Sequence, residues 1–370
     1  MNCNTVILAG GFGERLWPVS SKDFPKQFMA LEGGLSFLQQ SLERAFLLGS
    51  ESILIVCRTD ILQTVAKQCS DYANTLDEDS KNMLSEKLTV VAEPCQKHTA
   101  PPLAFACRYF QATQKDEKAA LVLTGDHIIE PFKAFKNDVQ KAIIQAQKED
   151  FVCFAIPPTH ASTGFGYMEV EKTSVDGIFR ICHFKEKPDT HTATQYLQSG
   201  NYRWNSGMFC VLPSVFMEEL NRYTKEVASA FPECDTPDFF TVSIQNGIRC
   251  ATAGNYMIHA YDKTAAISID HAVAEKTAKS CAVQSTFSWQ DIGTWDSFSE
   301  QFTGDDNKNS GTHNTVALDS TNCFVYSDVP VLLCGVEDLI VSIKNGNVLI
   351  LKKGCGETIK DGIKKLQELS

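Results

Sequence analysis

Several features that mark common protein classes are missing from this chain. No run of about 18 apolar residues occurs, so no membrane-spanning helix is expected. Positive charge is in short supply: 34 Lys and Arg stand against 45 Asp and Glu, a net −11. Such an acidic chain is not expected to coat nucleic acid, and leaves room only for an anion held in a locally basic pocket. Despite 14 cysteines no CxxC pair is present, which excludes a zinc knuckle or a thioredoxin-type site. Cys57, Cys153 and Cys334 sit in the apolar runs VCRTD, FVCFAI and VLLCGV, and are expected to be reduced thiols acting as small core hydrophobes in a cytoplasmic protein. The start, MNCNTVILAGG, has no basic n-region, so a signal peptide is not expected. Neither a Walker A sequence nor the GxGxxG fingerprint appears, and a dehydrogenase reading fails for want of that spacing and of a matching acidic ribose ligand.

What is present is ample core material. Apolar residues make up 43% and charged residues 21% of 370, enough for two or three domains at about 150 residues each. Strand-like runs at Thr5–Ala9, Ser52–Cys57, Leu88–Ala92 and Ala119–Leu123 alternate with helical patterns at Phe37–Leu48, Leu62–Cys69 and Pro102–Thr113. A polar, acidic stretch, Asp71–Lys87, interrupts them. Strand and helix in this order predict an α/β sandwich around a mostly parallel sheet. Further on, Gly166–Val170 and Gly177–Phe184 alternate as longer strands, while Val215–Leu220 and Ala272–Lys279 read as helices. The polar run DDNKNSGTHN after Phe302 is the boundary candidate. It divides a domain of residues 1–302 from one of 303–370. In the latter, Thr315–Leu318, Cys323–Tyr326, Val331–Val336, Leu339–Ile343 and Val348–Leu351 are short, evenly spaced apolar runs, predicting a small all-β coil with helical potential only at the very end.

The chemistry-bearing residues begin with Leu8-Ala9-Gly10-Gly11-Phe12-Gly13-Glu14-Arg15, followed by Pro25-Lys26-Gln27-Phe28. A strand feeding a glycine-rich turn can present backbone N–H groups to phosphate oxygens. Arg15 would add a planar fork and Lys26 a movable point charge. GGxG alone is as well explained by an ordinary turn; Arg15 and PKQF shift the balance toward phosphate. Asp126 ends a buried strand, and Asp291 lies far off between Trp289 and Gly293. Such carboxylates serve either as helix caps or as ligands of a hard cation.

These residues resemble, in order, the motifs of the nucleoside-diphosphate-sugar pyrophosphorylases, specifically their mannose-1-phosphate guanylyltransferase branch. LAGGFGERLWPVS…PKQF is similar to the nucleotide-binding signature, Thr99-Ala100-Pro101 to the branch's NTAPAI segment, and Gly125-Asp126-His127 to its ADH motif. Thr163–Tyr167 is similar to TGYGY and Phe184–Pro188 to the sugar-phosphate motif. WNSGMF (Trp204–Phe209), SIDHAVAEK (Ser268–Lys276), WQDIGTW (Trp289–Trp295) and GVEDLIV (Gly335–Val341) complete the series, which spans nearly the whole chain.

The resemblance implies a Rossmann-like nucleotidyltransferase domain with a mixed, mostly parallel sheet, and a small C-terminal β-helix-like domain that forms a homodimer. It implies that GTP and mannose 1-phosphate yield GDP-mannose and pyrophosphate, with no nucleic acid or membrane partner. Arg15, Lys26, Asp126, Lys187 and Asp291 would be catalytic. Leu8, Ala9, Gly10, Gly11, Gly13, Thr99, Ala100 and Gly125 would bind nucleotide with Arg15, Lys26 and Asp126. Gly166, Tyr167, Glu186, Lys187 and Asn205 would bind the sugar phosphate, and Asp126 with Asp291 would hold Mg²⁺. With Ser370 as the last residue, the isomerase activity of larger family members is not expected. Ser21, His98 and Thr124-Gly125 depart from the Arg, Asn and Pro-Ala that the family commonly has. The alternatives are a non-catalytic regulatory subunit that binds nucleotide sugar, or the same chemistry on another hexose 1-phosphate or nucleotide.

Overall fold

The computed structural model describes residues 1–11, 13–31, 34–233, 240–312 and 314–368. Phe12 of the glycine turn and His313 of the polar run lie outside the described residues. The apolar runs Cys3–Leu8 (β1), Ser52–Arg58 (β2), Leu88–Glu93 (β3) and Ala119–Thr124 (β4) are buried along almost their full length, as a sheet covered on both faces requires. In chain order there follow β5 (His127–Glu130), β6 (Phe151–Ile156), β7 (Gly166–Val170), β8 (Ile178–Lys185), β9 (Tyr202–Val211), β10 (Phe240–Gln245), β11 (Ile248–Ala253) and β12 (Ser280–Gln284). All but β5 belong to one eleven-stranded sheet, ordered β10-β11-β3-β2-β1-β4-β9-β6-β12-β8-β7.

The sheet is mixed, as the resemblance implies, but its antiparallel pairs are at least as many as its parallel ones, which corrects the expectation of a mostly parallel one. Strands β11, β3, β2, β1 and β4 run parallel to one another, as β6 does to β12. The pairs β10–β11, β4–β9, β9–β6, β12–β8 and β8–β7 are antiparallel. Turn chemistry is the reason for two of these pairs. Asn246-Gly247 between β10 and β11, and Asp176-Gly177 between β7 and β8, hold positive φ at both residues, the conformation of a tight hairpin. Such a hairpin joins only antiparallel neighbours, whereas parallel ones need a crossover.

Two helical readings also change. The polar stretch before β3 contains a helix, Glu78–Lys87, started by Asp77, whose carboxylate accepts from the Ser80 N–H at 2.9 Å. The expected helix Ala272–Lys279 is instead a single wide turn at Asp270–Ala274. The Thr224 hydroxyl donates to the Ala272 carbonyl at 3.0 Å, and Lys276 N–H turns to Val273. Among the described cysteines, Cys57 and Cys153 are buried as expected, but Cys334 is exposed, because it points outward on a short strand whose inner face holds Leu333.

The chain forms two compact units. The first contains Met1–Gly10, Ser41–Gly125 and Ile129–Trp289, hence the large sheet. Its core includes Phe105, Phe110, Phe151, Phe209, Phe216 and Tyr261. The second contains Gly11–Gln40, Asp126–Ile128 and Gln290–Ser370, built around Leu16, Phe37, Ile292, Trp295, Phe298 and Phe324. Within it Thr315–Leu318 pairs in parallel with Val331–Cys334, and Phe324–Ser327 in parallel with Leu339–Lys344. In both cases the partner lies sixteen positions on: Thr315 opposite Val331, Phe324 opposite Ile340. Leu339–Lys344 then folds back on Asn347–Lys352 through Asn345-Gly346.

Trp295 is fully buried, and its indole N–H donates to the Trp17 carbonyl at 2.9 Å. Trp295→Ala is therefore expected to cost about 3–5 kcal/mol, read as a lowered urea midpoint. Val348→Ala, at a residue 54% exposed, is expected to change stability by less than about 0.5 kcal/mol.

Candidate functional site

The sequence-predicted residues fall into two groups, one in each unit. In the second unit Lys26 sits in a single helical turn, Lys26–Phe28, and is only 4% exposed. Its ammonium donates to Asp126 Oδ2 at 2.9 Å and to Asp291 Oδ1 at 2.8 Å. Burial works against the charge on Lys26, but the two carboxylates outweigh it and raise its pKa above the ordinary value. Burial likewise opposes ionisation of Asp291, yet Lys26, His127 and Arg15 bring its pKa down to about 2. Gly13 explains itself here. It holds φ 67°, and a Cβ at this position would lie 2.4 Å from the Lys26 Cβ. The Ser20 hydroxyl donates to the Gly13 carbonyl at 2.6 Å, and Ser21 closes the turn before Pro25 by accepting from Phe24 N–H.

Gly13, Arg15, Lys26, Asp126, Asp291 and Gly293, together with Lys360, line a cavity of about 370 Å³. Lys26 takes one oxygen of each aspartate, and the second oxygen of Asp126 has His127 Nε2 at 3.8 Å. An ionised carboxylate pair at the wall of an open cavity is a donor set that suits a hard, partly hydrated divalent cation. Gly11 is exposed, with open space where a Cβ would stand.

In the first unit β1 lies between β2 and β4, at the point where the strand order reverses, the usual position for a ligand crevice in such sheets. Its end is tightly built. Ala9 N–H donates to Val56 O at 2.8 Å, and Gly125 N–H to Leu8 O at 2.9 Å. The Gly10 carbonyl accepts from Arg58 at 3.2 Å and from Gln96 at 3.3 Å. A Cβ on Gly10 would stand 3.0 Å from Glu93 Oε1. Glu93 is buried at the end of β3, and burial pushes its carboxyl up to about 7 although Tyr261 donates to it and Arg58 lies near. Thr99 does not cap the helix Ala100–Ala112 with its side chain; its hydroxyl instead accepts from Ile269 N–H at 2.9 Å. Ala100 is fully buried, with its N–H given to Ile267 O.

The expected sugar-phosphate residues also converge. Gly166 stands opposite Asn205 in the β7–β9 ladder, and a Cβ there would be 2.4 Å from Glu186 Oε2. Asn205 donates to Asp270 Oδ1 at 2.8 Å and accepts from Gly207 N–H at 3.2 Å. Lys187, in a left-handed conformation with φ 45°, pairs with Glu186 at 2.5 Å. Glu275 accepts from the Glu186 N–H at 3.0 Å. The Tyr167 side chain is fully buried, and its hydroxyl accepts from Ser162 N–H at 2.9 Å, so this side chain braces the loop before β7. Burial and the neighbouring Glu186 raise Asp270 to about 6. Partial burial, Lys187 and His271 push the His98 imidazole down, with Glu186 opposing; the charged neighbours of His98 are therefore those of the sugar-phosphate segment. Glu93, Arg58, Glu275 and Lys360 escaped the sequence reading, and Asp270 was not selected as a site residue. For Glu93 a signal existed, since it ends a predominantly apolar parallel strand.

A family model described as nucleotidyl transferase matches residues 4–308. The alginate biosynthesis protein AlgA of Pseudomonas putida is 32% identical over 98% of this chain and 71% of its own length. The mannose-1-phosphate guanylyltransferase RfbM of Salmonella typhimurium is 31% identical over 98% of this chain and 71% of its own. A mannose-1-phosphate guanylyltransferase of Klebsiella pneumoniae is 31% identical over 98% and 74%. Among solved structures, one titled mannose-1-phosphate geranyltransferase, from Thermus thermophilus, superposes with a TM-score of 0.82 at 26% identity, covering 99% of this chain and 100% of that one.

Asp270 makes a pH prediction. Between the ordinary 3.8 and about 6 the folded chain keeps a proton that the unfolded chain has lost. This contribution to stability is full below 3.8 and is lost as pH rises through about 6. Asp270→Asn is expected to remove that part of the slope, checked by comparing urea midpoints of both proteins across this range.

Proposed function

The chain belongs to the nucleotidyl transferase family, and on that premise we propose that it makes GDP-mannose and pyrophosphate from GTP and α-D-mannose 1-phosphate. The observation that carries the reading is the Asp126–Lys26–Asp291 cluster at the wall of a cavity that also holds Arg15. The choice of guanosine and mannose is supported by the ordered motifs and by relatives that carry the guanylyltransferase name.

In this reading a phosphate oxygen of the sugar phosphate attacks the α-phosphorus of GTP in line. The new P–O bond forms as the bond to the β-phosphate oxygen breaks, and pyrophosphate leaves with that electron pair. Both reactants arrive with their reactive atoms, so no side-chain nucleophile is needed, and the protein's work is positioning and charge neutralisation. Arg15 and the backbone of Gly10, Gly11 and Gly13 would hold the β and γ phosphates. Lys26 has three N–H bonds, two already given to carboxylates, and the third is available to the α-phosphate. Asp126 and Asp291 would hold Mg²⁺, which when bound neutralises phosphate charge. Lys187 takes the sugar phosphate. Glu186 and Asn205 take sugar hydroxyls, with Asp270 orienting the Asn205 amide through the bond its Oδ1 accepts.

The sixteen-residue parallel repeat supports reading the C-terminal strands as a β-helical coil. Val316, Leu318 and Leu332 are 56%, 56% and 62% exposed there, and Val316 lies directly opposite Leu332. We read this apolar face as the surface a second copy covers.

Pyrophosphate release with mannose 1-phosphate and Mg²⁺ is expected to favour GTP strongly over ATP, UTP and dTTP. Turnover with another nucleotide would replace the named substrate, and none from folded protein would bring the regulatory-subunit reading forward. Asp126→Asn is expected to lower kcat by at least about 100-fold with the fold intact; near-normal activity would sink the carboxylate assignment. Lys187→Ala is expected to raise KM for the sugar phosphate by about tenfold or more, with KM for GTP little changed. Light scattering should give a dimer that Leu332→Asp converts to monomer, whereas a monomeric wild type at micromolar concentration would refute the assembly.

A further inference from the structure

Glu275 holds the sugar-phosphate segment from outside it. The β7–β8 pairing ends with Lys185 opposite Tyr167, so Glu186 is the first residue past the ladder. A backbone N–H at that point needs another acceptor, and the Glu275 carboxylate supplies it at 3.0 Å, from a position 89 residues further on. Beyond it Lys187 holds φ 45°, a region that side chains rarely enter and that the following Pro188 disfavours further. A residue keeps such a conformation only where its surroundings over-determine it. Here Pro188 is buried on one side and Glu186 is bonded on the other. The Glu186 side chain is fixed as well, 12% exposed and paired with Lys187.

The backbone that carries Glu275 is the wide turn at Asp270–Ala274. Glu275 N–H closes it by reaching back to the Asp270 carbonyl at 3.0 Å, one residue further than an α-helical bond spans. In an α-helix residues five apart diverge by about 140°; the wider turn brings them round toward one side. Both of its ends meet the same group of residues. Asp270 Oδ1 accepts from the Asn205 amide at 2.8 Å, and Glu275 Oε1 accepts from the Glu186 N–H. The Thr224 hydroxyl holds the middle of the turn through the Ala272 carbonyl.

We propose that Glu275 is a positioning residue for the sugar phosphate: by accepting the Glu186 N–H it fixes the turn that presents Lys187, and the wide turn lets one element orient both Asn205 and the Glu186-Lys187 pair. The proposal rests on the sugar-phosphate reading above for the identity of the ligand, and on the hydrogen bond and backbone geometry for the positioning itself. Charge makes the role specific. Glu275 stands beside a group that already carries Glu186 and Asp270, and a further carboxylate repels a phosphate. It therefore acts through the backbone it holds and not by touching the ligand.

The test compares the full-length wild type with Glu275→Ala, Glu275→Gln, Lys187→Ala, the Glu275→Ala plus Lys187→Ala double variant and, as a control at an exposed carboxylate, Glu226→Ala. Each is checked for folding by circular dichroism. Hydrogen–deuterium exchange, read by mass spectrometry on the peptide around Glu186, reports the bond. That amide should exchange about tenfold faster in Glu275→Ala and near the wild-type rate in Glu275→Gln, whose side-chain oxygen still accepts. Steady-state kinetics report the function. KM for mannose 1-phosphate should rise about fivefold in Glu275→Ala with KM for GTP unchanged, and Glu275→Gln should recover most of the loss. Because Glu275 acts through the turn, its effect and that of Lys187→Ala should combine to less than their product. Glu226→Ala should match the wild type. Unchanged exchange or unchanged KM in folded Glu275→Ala, an equal rise in both KM values, a Glu275→Gln as impaired as Glu275→Ala, or full multiplication in the double variant would each overturn the proposal. Should Glu275→Ala fail to fold, Glu275→Gln together with Glu275→Met decides: KM kept by Gln and raised by Met supports it, and KM kept by both overturns it. A wild type that uses no sugar phosphate, while its Glu186 amide still depends on Glu275, would leave the positioning of the turn standing and remove the ligand reading instead.

Discussion

A buried ammonium shared by two carboxylates is the constraint on which the second unit depends. Lys26, almost without solvent contact, can keep its charge only because Asp126 and Asp291 face it at 2.9 and 2.8 Å. Only the loss of both carboxylates would leave that ammonium unpaired in a place that solvates it poorly, which is far costlier than never having built the cluster. The cluster therefore ties together chain segments 100 and 265 residues apart. It also dictates smaller features. Gly13 must lack a side chain to let Lys26 pass, and Asp291, held near 2 by its cationic neighbours, stays ionised through the physiological range.

The first unit works from a different tension, that of carboxyl groups taken out of water without a full cationic partner. Glu93 and Asp270 are pushed up to about 7 and about 6, mainly by burial. Each is tied to a neutral hydrogen-bond donor, Tyr261 for the first and Asn205 for the second. Such groups lie where strands and tight glycines meet, Gly10 against Glu93 and Gly166 against Glu186. Close backbone approach and perturbed carboxyls together are the mark of a place built for a ligand rather than for packing alone.

Much of this was legible in the amino-acid order. The apolar runs of β1 to β4 announce buried parallel strands, because a strand covered on both faces carries no alternation. The glycine turn, Arg15, Lys26 and the two aspartates stand out in the sequence as candidates for phosphate chemistry, and Lys26 does meet both aspartates in the structure. Even the short C-terminal strands were visible from their even spacing. Local readings failed in two places: the helical pattern from Ala272 ends within a single wide turn, Asp270–Ala274, and the outward face of a short strand exposes Cys334 despite its apolar neighbours.

The sequence by itself determined which chemistry the chain can perform, because residue types and their order along the chain are local properties. Tertiary structure alone decided the rest. That Lys26 bonds both aspartates, that Asp270 rather than water faces the Asn205 amide, that Gly166 is demanded by Glu186, and that Lys360 joins a cavity begun at Gly13 are all contacts between residues distant in sequence. Charge, burial and pKa are set by such neighbours, through distances that no periodicity or motif encodes.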